Sequence, residues 1–187
     1  LQVLAFNGLF FDVNNAAAAY SEGLETDIQW LTPYTPLSID ASIGYLRARY
    51  KDYDSAPAPI TMGMGAQQDL SGKTLAFAPE VSATLSPSLE YSFGNLQLKA
   101  TLNIQYRSEH FTDTDLDPNT EIPDTTQYAG NISLRHALQG WALTIGGKNL
   151  TDERRLNQVI DTALFPGTYN PSQNPGRSVF ASVSVDC

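Results

Sequence analysis

Three acidic residues alternate in one polar segment, and their spacing is the closest match in the chain to a metal-binding loop. Asp113, Asp115 and Asp117 occupy alternate positions, and Asp124 follows eleven residues after Asp113. Calcium loops surround their ion with carboxylates spaced in this way, followed by a later acidic ligand. The position at which such a loop needs glycine for its sharp turn is Pro118, so we favour a solvated acidic loop over a calcium site.

Other residues capable of chemistry lack the neighbours that their chemistry needs. His110 lies beside Glu109 and Asp113, but a third close ligand with metal-binding spacing is missing. The segment 146–148 (GGK) ends like a phosphate loop, yet the earlier glycine position holds Ala142 and the segment reads as a strand. No G-x-S-x-G motif is present. We therefore expect no enzyme, no catalytic residue, no cofactor and no bound metal.

The elements that carry these residues read as strands with one apolar and one polar face. The residues from Leu96 to Arg107 alternate between apolar and polar without interruption, and those from Val81 to Phe93 alternate in much the same way. Successive side chains of a strand point to opposite faces, so each run predicts a strand with one apolar face. Only Gly94 and Asn95 separate the two runs, which predicts a hairpin with a tight turn.

Eight strands are predicted in total, and the connections between them differ in length. The approximate strand ranges are 1–13, 18–31, 37–50, 80–93, 96–107, 127–137, 141–150 and 177–185. The short connections are 14–17, 32–36, 94–95 and 139–140, and the long ones are 51–73, 110–126 and 151–176. Pro87 lies in the middle of the fourth strand, where we expect a local bulge or an irregular register, because proline donates no ladder hydrogen bond.

The connections are sorted by length, because from the second strand onward the tight turns fall at one end of the strands and the long loops at the other. This asymmetry is typical of bacterial outer-membrane barrels. The aromatic residues form two groups that match the interfacial girdles of such barrels: Trp30, Tyr91, Phe93 and Trp141 beside the tight turns, and Tyr45, Tyr106 and Tyr128 beside the long loops. The predicted fold is therefore all-β, with antiparallel up-and-down transmembrane barrel strands.

The composition agrees with a barrel and excludes other classes. The chain has 187 residues, of which 42% are hydrophobic, and a mean hydropathy of −0.23. No stretch approaches the ~18 consecutive apolar residues of a spanning helix. A net charge of −9 argues against nucleic acid as a partner. The one cysteine, Cys187, excludes an internal disulfide framework, and we expect the chain to be a mature piece or a fragment of a longer protein.

Four segments resemble one known family. Residues 141–155 (WALTIGGKNLTDERR) are similar to the apolar strand followed by N-L-T-D-x-R near the end of TonB-dependent outer-membrane receptors. Residues 165–169 (FPGTY) and 174–177 (NPGR), followed by a last alternating strand, resemble the closing pattern of the same family. Residues 15–25 (NAAAAYSEGLE) and 75–80 (LAFAPE) resemble two of its upstream segments. These matches span nearly the whole chain in the family's order.

The resemblance implies a barrel of about 22 strands whose lumen holds an N-terminal plug. Residues 1–187 would supply its C-terminal portion of about eight strands, with the plug and the TonB box outside this chain. The implied function is TonB-energised uptake of a scarce nutrient of the siderophore-iron, cobalamin or saccharide class across the outer membrane of a Gram-negative bacterium. The implied partners are outer-membrane lipid, the TonB complex through the plug region, and a small-molecule nutrient. The family commonly ends in an aromatic residue, whereas this chain ends in Cys187.

Five residues at or in the long loops become candidate ligand contacts under this resemblance. They are Arg107, His110, Arg154, Arg155 and Tyr169. In a receptor, these cationic and aromatic side chains suit an anionic or aromatic ligand. For the arginines and Tyr169 taken singly, contact with the abundant Asp and Glu of the loops is the simpler interpretation, and for His110 it is an ordinary surface position in a loop.

Two other functions remain open on the sequence. Eight strands are enough to close a small outer-membrane barrel with a structural or adhesive role, which would require the first and eighth strands to pair. A soluble β domain that binds a ligand is the other alternative, and the uncharged apolar faces argue against it. If the chain is part of a larger barrel, its sheet has two open edges, and we expect the isolated segment to aggregate.

Overall fold

The computed structural model describes residues 2–6, 11–15, 18–34, 36–162 and 165–185. These residues form strands and two short 3-10 turns, at Ile60–Met62 and Pro118–Thr120. The strands are β1 (Gln2–Phe6), β2 (Phe11–Asn15), β3 (Ala18–Leu31), β4 (Leu37–Asp52), β5 (Ala56–Pro57), β6 (Gln67–Gln68), β7 (Val81–Phe93), β8 (Leu96–Arg107), β9 (His110–Phe111), β10 (Glu121–Ile122), β11 (Thr125–His136), β12 (Trp141–Lys148), β13 (Leu156–Asp161), β14 (Tyr169–Gln173) and β15 (Ser178–Val185). No helix in these ranges has the length and apolar character to cross a membrane.

Seven long strands form one antiparallel sheet in the order β15-β12-β11-β8-β7-β4-β3. Each long strand lies beside the next long strand in the chain, which is the predicted up-and-down arrangement. The predicted hairpin around Gly94 and Asn95 is confirmed, with Phe93 paired to Leu96 and Gly94 at a φ of 60°. A positive φ of this kind favours glycine, because any side chain would crowd the backbone there.

The predicted first strand is wrong. Residues 1–13 do not form one strand of the large sheet, because β1 and β2 pair with each other as a separate two-stranded hairpin, from Gln2↔Asn15 to Phe6↔Phe11. The sequence between them contains Asn7-Gly8, the kind of dipeptide that favours a tight hairpin turn. The turn predicted at 14–17 also fails at residues 14–15, which belong to β2, while residues 16–17 lie outside the described residues.

Pro87 interrupts one ladder without shifting it, so the predicted bulge is wrong. On one side of the interruption Leu85 pairs with Ile104, and on the other side Ser88 pairs with Thr101, in the same register. Proline removes a single N–H group, and a ladder can lose the bonds at one position and continue unchanged beyond it.

The two faces of the seven-stranded sheet differ as the alternation predicts. Large apolar side chains on one face are between 54% and 72% exposed: Leu24, Ile28, Ile132, Ile145, Val179 and Val183. The opposite face is polar and internally bonded, as in the hydrogen bond from Asn103 Nδ2 to Ser86 Oγ (2.8 Å). An apolar face this exposed suits hydrocarbon rather than water.

The strands β3 and β15 are the two edges of the sheet, each paired on one side only. The strand predicted to be first lies in a different sheet, so the pairing that a closed eight-stranded barrel requires is absent from the described ranges. The fold is therefore a sheet of barrel strands that stays open within the part of the chain described.

Loop lengths separate the two ends of the sheet, as predicted. The short connections join β3 to β4, β7 to β8 and β11 to β12. We call the long ones loop A (residues 53–80), loop B (108–124) and loop C (149–177); they carry the small hairpins β5–β6, β9–β10 and β13–β14. Buried apolar side chains lie at this end, and four of them form a cluster: Tyr50, Tyr53, Ala56 and Leu70. Packing is therefore concentrated in the loops.

Candidate functional site

Loops A, B and C contact one another and form a single group beyond one end of the sheet. The backbone N–H of Phe77 in loop A donates to the carbonyl of Phe111 in loop B (2.8 Å). The guanidinium of Arg155 in loop C donates to the carbonyl of Asp124 in loop B (2.7 Å). Three loops that are distant in sequence are thus bonded to one another beyond the same end of the sheet.

Thr112 is the buried junction between loops B and C. Its side chain is 1% exposed, and its hydroxyl donates to the carbonyl of Val159 (2.8 Å) or of Thr120 (2.9 Å). The N–H of Val159 donates back to the same hydroxyl oxygen (2.9 Å). A buried hydroxyl with both its donor and its acceptor used ties the two loops together specifically.

Asp117 makes a second junction between the same loops. Its carboxylate is 1% exposed and accepts from the N–H of Asn119 (2.8 Å) and from the hydroxyl of Tyr169 (3.0 Å). The side-chain amide of Asn119 also donates to the Tyr169 hydroxyl oxygen (2.8 Å). Tyr169, on β14, is therefore held by two residues of loop B.

Two further carboxyl groups meet at this junction. Asp161, at the end of β13, donates its N–H to Asp113 Oδ2 (3.0 Å), and its Oδ1 atom is buried without a hydrogen-bond partner among the described residues. Burial raises the pKa of Asp115 to about 7, and the negative charge of Asp113 adds to this effect. Burial likewise raises the pKa of Asp161, with the charge of Asp117 as the next cause.

A cavity of about 510 Å³ lies on the polar face of the sheet, where loop C reaches over the strands. Its wall includes both charge signs and several amides, among them Glu25, Asp27, Arg107, His110, Asn157 and Asn174. Polar groups of both signs in one concave space can orient a polar ligand, and bound water fills such a space otherwise.

The five predicted ligand contacts fall into separate places. Arg107 and His110 lie on the cavity wall, and the Nδ1 atom of His110 is 3.1 Å from the Ser108 carbonyl. Arg154 is exposed on loop C, outside the group of residues that line the cavity. The structure thus places Arg107 and His110 on the same cavity wall and Arg154 away from it.

Arg155 and Tyr169 instead bind other loop residues, which agrees with the simpler interpretation given for single loop residues. Arg155 donates to Glu153 Oε2 (Nε, 2.6 Å) as well as to Asp124, and Tyr169 is held by Asp117. Their first role in this structure is to hold the loops. The assignment of any of the five residues to a ligand stays a prediction.

The acidic segment is not the solvated loop that the sequence analysis favoured, because Asp115 and Asp117 are only 9% and 1% exposed. Asp117 uses its carboxylate on Asn119 and Tyr169, and Asp124 is exposed. Across the part of the chain that the structure describes, no group of three or more His, Cys, Asp or Glu side chains is arranged to hold a metal ion. A fourth acidic residue at this junction, Asp161, was missed by the sequence analysis, because it lies 46 residues after Asp115 in a range predicted to be a long connection.

Comparison with known proteins points to one family and one fold. The family model for TonB dependent receptor-like β-barrels matches residues 2–150. Among solved structures, the chain is similar to the ferric yersiniabactin uptake receptor FyuA from Yersinia pestis, with a TM-score of 0.73 and 17% identity over 94% of this chain and 25% of that one. No curated protein sequence gives a match.

Two further solved structures share the fold. They are the siderophore receptor PiuA from Acinetobacter baumannii, with a TM-score of 0.62 and 18% identity over 88% of this chain and 22% of that one, and the ferric citrate transporter FecA, with a TM-score of 0.60 and 21% identity over 89% of this chain and 24% of that one. The chain thus spans about a quarter of the length of the receptors that it resembles.

Proposed function

The chain belongs to the family of TonB-dependent receptor β-barrels, which are proteins of the Gram-negative outer membrane. From this membership we propose that the chain forms part of the wall and mouth of a receptor that takes up ferric chelates. Residues 1–187 would be the C-terminal portion of the barrel. The plug and the segment that engages TonB would be supplied by the rest of the receptor.

The observation that carries this proposal is the asymmetry of the sheet. One face is apolar and exposed, the other is polar and carries the cavity, and loops A, B and C are joined at one end only. In a receptor wall, the apolar face contacts lipid, the polar face lines the lumen, and the loops form part of the mouth that captures ligand. Transport of this kind needs binding and release but no covalent chemistry, so we propose no enzymatic activity.

The ligand class rests on the named solved structures. Each of the three is a receptor or transporter for a ferric chelate or a siderophore, and this supports the siderophore-iron class over the cobalamin and saccharide classes. Arg107 and His110 on the cavity wall give the proposal its first residues to test, since guanidinium and imidazole N–H groups can donate hydrogen bonds to the carboxylate or catecholate oxygens of such chelates.

Uptake by whole cells tests the proposal. The complete receptor that contains this chain is expressed in a strain lacking its own ferric-chelate receptors, and accumulation of radioactive iron is measured for a panel of ferric chelates. Labelled cobalamin and labelled oligosaccharides are offered in parallel. We expect iron accumulation for at least one chelate, and its loss in an otherwise identical strain without TonB. Uptake of cobalamin or saccharide alone, or iron uptake that is unchanged without TonB, would contradict it.

A further inference from the structure

Two rows of residues cross the polar face of the sheet where the cavity of about 510 Å³ lies. The first row runs over β3, β4, β7 and β8 through positions that are paired in the strand register, in the order Glu25, Gly44, Ser82 and Arg107. All four of these residues line the cavity. The row therefore begins at a carboxylate on β3 and ends at a guanidinium on β8.

The second row lies beside the first, two residues away on each of the same strands. Its members, in register order, are Asp27, Ser42, Thr84 and Gln105, and they also line the cavity. Side chains two positions apart on a strand share a face, so the carboxylate of Asp27 lies at the same end of the cavity as that of Glu25. The cavity thus has two carboxylates at one end and a guanidinium at the other.

Small side chains form the floor between the two charged ends. The intervening positions of both rows hold only glycine, serine and threonine. A Cβ atom added at Gly44 would stand 3.2 Å from Ser82 Oγ and 3.8 Å from Glu25 Cγ, so a larger residue there would take up space in the row. Three strand spacings of about 4.8 Å, or roughly 14 Å in all, separate the backbones of β3 and β8. The cavity is therefore elongated and carries opposite charges at its ends.

The charged groups at both ends lack a partner within the described residues. Glu25, Asp27 and Arg107 take part in none of the ion pairs or side-chain hydrogen bonds of this part of the chain. By contrast, Glu90 and Lys99 on β7 and β8 are register partners, and their charged groups are 3.5 Å apart. Unpaired charges of both signs in one concave space favour a ligand that bears the complementary charges.

We propose that the cavity binds an elongated zwitterionic ligand, with an ammonium group at Glu25 and Asp27 and a carboxylate group at Arg107. An ammonium group offsets the repulsion between two neighbouring carboxylates, and a guanidinium group donates two parallel hydrogen bonds to a carboxylate. This inference rests on the proposed uptake function and narrows it to ferric chelates that carry an amine and a carboxylate outside the iron centre. A purely anionic or a neutral chelate would use one end of the cavity at most.

Equilibrium dialysis with the complete receptor, purified in detergent, tests this ligand class. The probes are three linear trihydroxamates that hold radioactive iron in the same way. The first has a free amine at one end and a free carboxylate at the other, the second has the amine acetylated, and the third has the carboxylate converted to an amide. We expect the first to bind about tenfold more tightly than either other probe, because each masked end loses a hydrogen-bonded charge pair. Equal affinities, or no binding of the first probe, would overturn the proposal.

Substitutions show which end of the cavity each charge of the ligand occupies. The double variant Glu25→Gln, Asp27→Asn should bind the first and the acetylated probe equally, because its amides do not attract an ammonium group. Arg107→Gln should instead remove the difference between the first probe and the amide probe, and it keeps the proposal testable if the double variant does not fold. Heat-modifiable migration on a gel reports folding. A folded double variant that still prefers the free amine would overturn the proposal.

The matched controls lie on the same polar face outside the cavity. Asp40→Asn on β4 and Lys99→Gln on β8 each remove one charge and should keep the wild-type order of affinities. The plug is the alternative occupant of the cavity in the complete receptor. If the plug binds there, the cavity variants will lower the temperature at which the folded band disappears from the gel while the three affinities stay equal, and this result would overturn the proposal.

Dialysis and uptake by whole cells separate a failure of this inference from a failure of the proposed function. Absence of TonB-dependent accumulation for every chelate would contradict the proposed function. Accumulation of chelates by a receptor that does not discriminate among the three probes would overturn the zwitterion inference alone. An iron-free chain with the same two charged ends and a radioactive carbon label is dialysed in parallel with its masked forms. Tighter binding of the unmasked chain would support the ligand class even without iron uptake.

Discussion

At the scale of single residues, the loops are held by buried polar groups whose partners lie far away in the chain. Thr112 meets Val159, Asp117 meets Tyr169, and Asp113 meets the backbone of Asp161. Each of these contacts joins loop B to loop C. Buried polar groups lose more free energy when unpaired than exposed ones do, so these few side chains decide whether the mouth keeps its shape.

Thr112→Val is expected to weaken the junction, because valine keeps the shape of the side chain and removes the hydroxyl. The N–H of Val159 then loses its acceptor, at a cost of about 1–3 kcal/mol. Hydrogen exchange of the amides in 110–122 and 156–161 measures this as faster local opening. The matched control is Thr151→Val, at an exposed position in loop C, which should change the amide exchange rates little. Equal exchange in both variants would show that Thr112 does not hold the junction.

Tyr169→Phe tests whether Tyr169, a predicted ligand contact, stabilises the packing of loop C against loop B. The substitution removes the hydroxyl that donates to the buried Asp117 carboxylate, a charge-assisted bond worth roughly 1.5–3 kcal/mol. We expect faster proteolytic cleavage in loop C, measured without any ligand present. Tyr34→Phe, in the short turn at the opposite end of the sheet, is the control and should be cleaved like the wild type. An unaltered cleavage rate in Tyr169→Phe would leave ligand contact as its remaining role.

At the scale of elements, alternation alone predicts most of the large sheet. The ranges predicted for 18–31 and 96–107 match β3 and β8 to the residue, and most other long strands differ by one or two residues at either end. Period-two patterning is local, and it is strong here because one face meets hydrocarbon, so every second residue is constrained. Alternation does not reveal which strands pair. The residues of β1 and β2 illustrate this, because their alternation fits one long strand as well as it fits the two short paired strands of the structure.

Ile132 and Ser133 are neighbours on β11 that face opposite sides of the sheet, and lysine at the two positions should have unequal effects. Ile132 lies on the apolar face and is 59% exposed, so Ile132→Lys places a charge in lipid at a cost of up to about 2–4 kcal/mol, depending on its depth. Ser133→Lys places the same charge on the polar face and is its control. The measurement is heat-modifiable migration: samples are heated to increasing temperatures, and the temperature at which the fast-migrating, folded receptor band disappears from the gel is recorded. Equal temperatures would contradict the assignment of the faces.

At the scale of the whole molecule, the described residues form an open sheet whose buried apolar packing lies at one end. Its sheet has open edges at β3 and β15 and an exposed apolar face, while its loops pack closely around Tyr50, Tyr53 and Leu70. Unpaired strand edges attract other strands, and an apolar face in water attracts other apolar faces. If the chain is part of a larger barrel, as proposed, we expect the stability of this sheet to depend on the other strands of that barrel and on lipid.

The isolated segment 1–187 is expected to form no discrete folded species. Refolding it with and without detergent micelles, followed by β-sheet circular dichroism and by heat-modifiable migration on a gel, measures this. The complete receptor is refolded in parallel as the control. A monodisperse species that melts cooperatively without detergent would contradict the expectation and favour a soluble domain. A compact, heat-modifiable band in detergent would favour the small closed barrel.

The sequence by itself determined the fold class, the long strands with their two faces, the segregation of short and long connections, and the family resemblance. All of these depend on residues that are close in sequence or on the lengths between them, so local patterns carry them. Only the tertiary structure decided that β1 and β2 form their own hairpin, that Pro87 leaves the register unchanged, and that the backbone of Asp161 binds Asp113. The first two depend on which neighbouring segments pair, and an alternating pattern fits one long strand or two short ones equally well. The third depends on packing between residues 48 positions apart, and no local period encodes that packing.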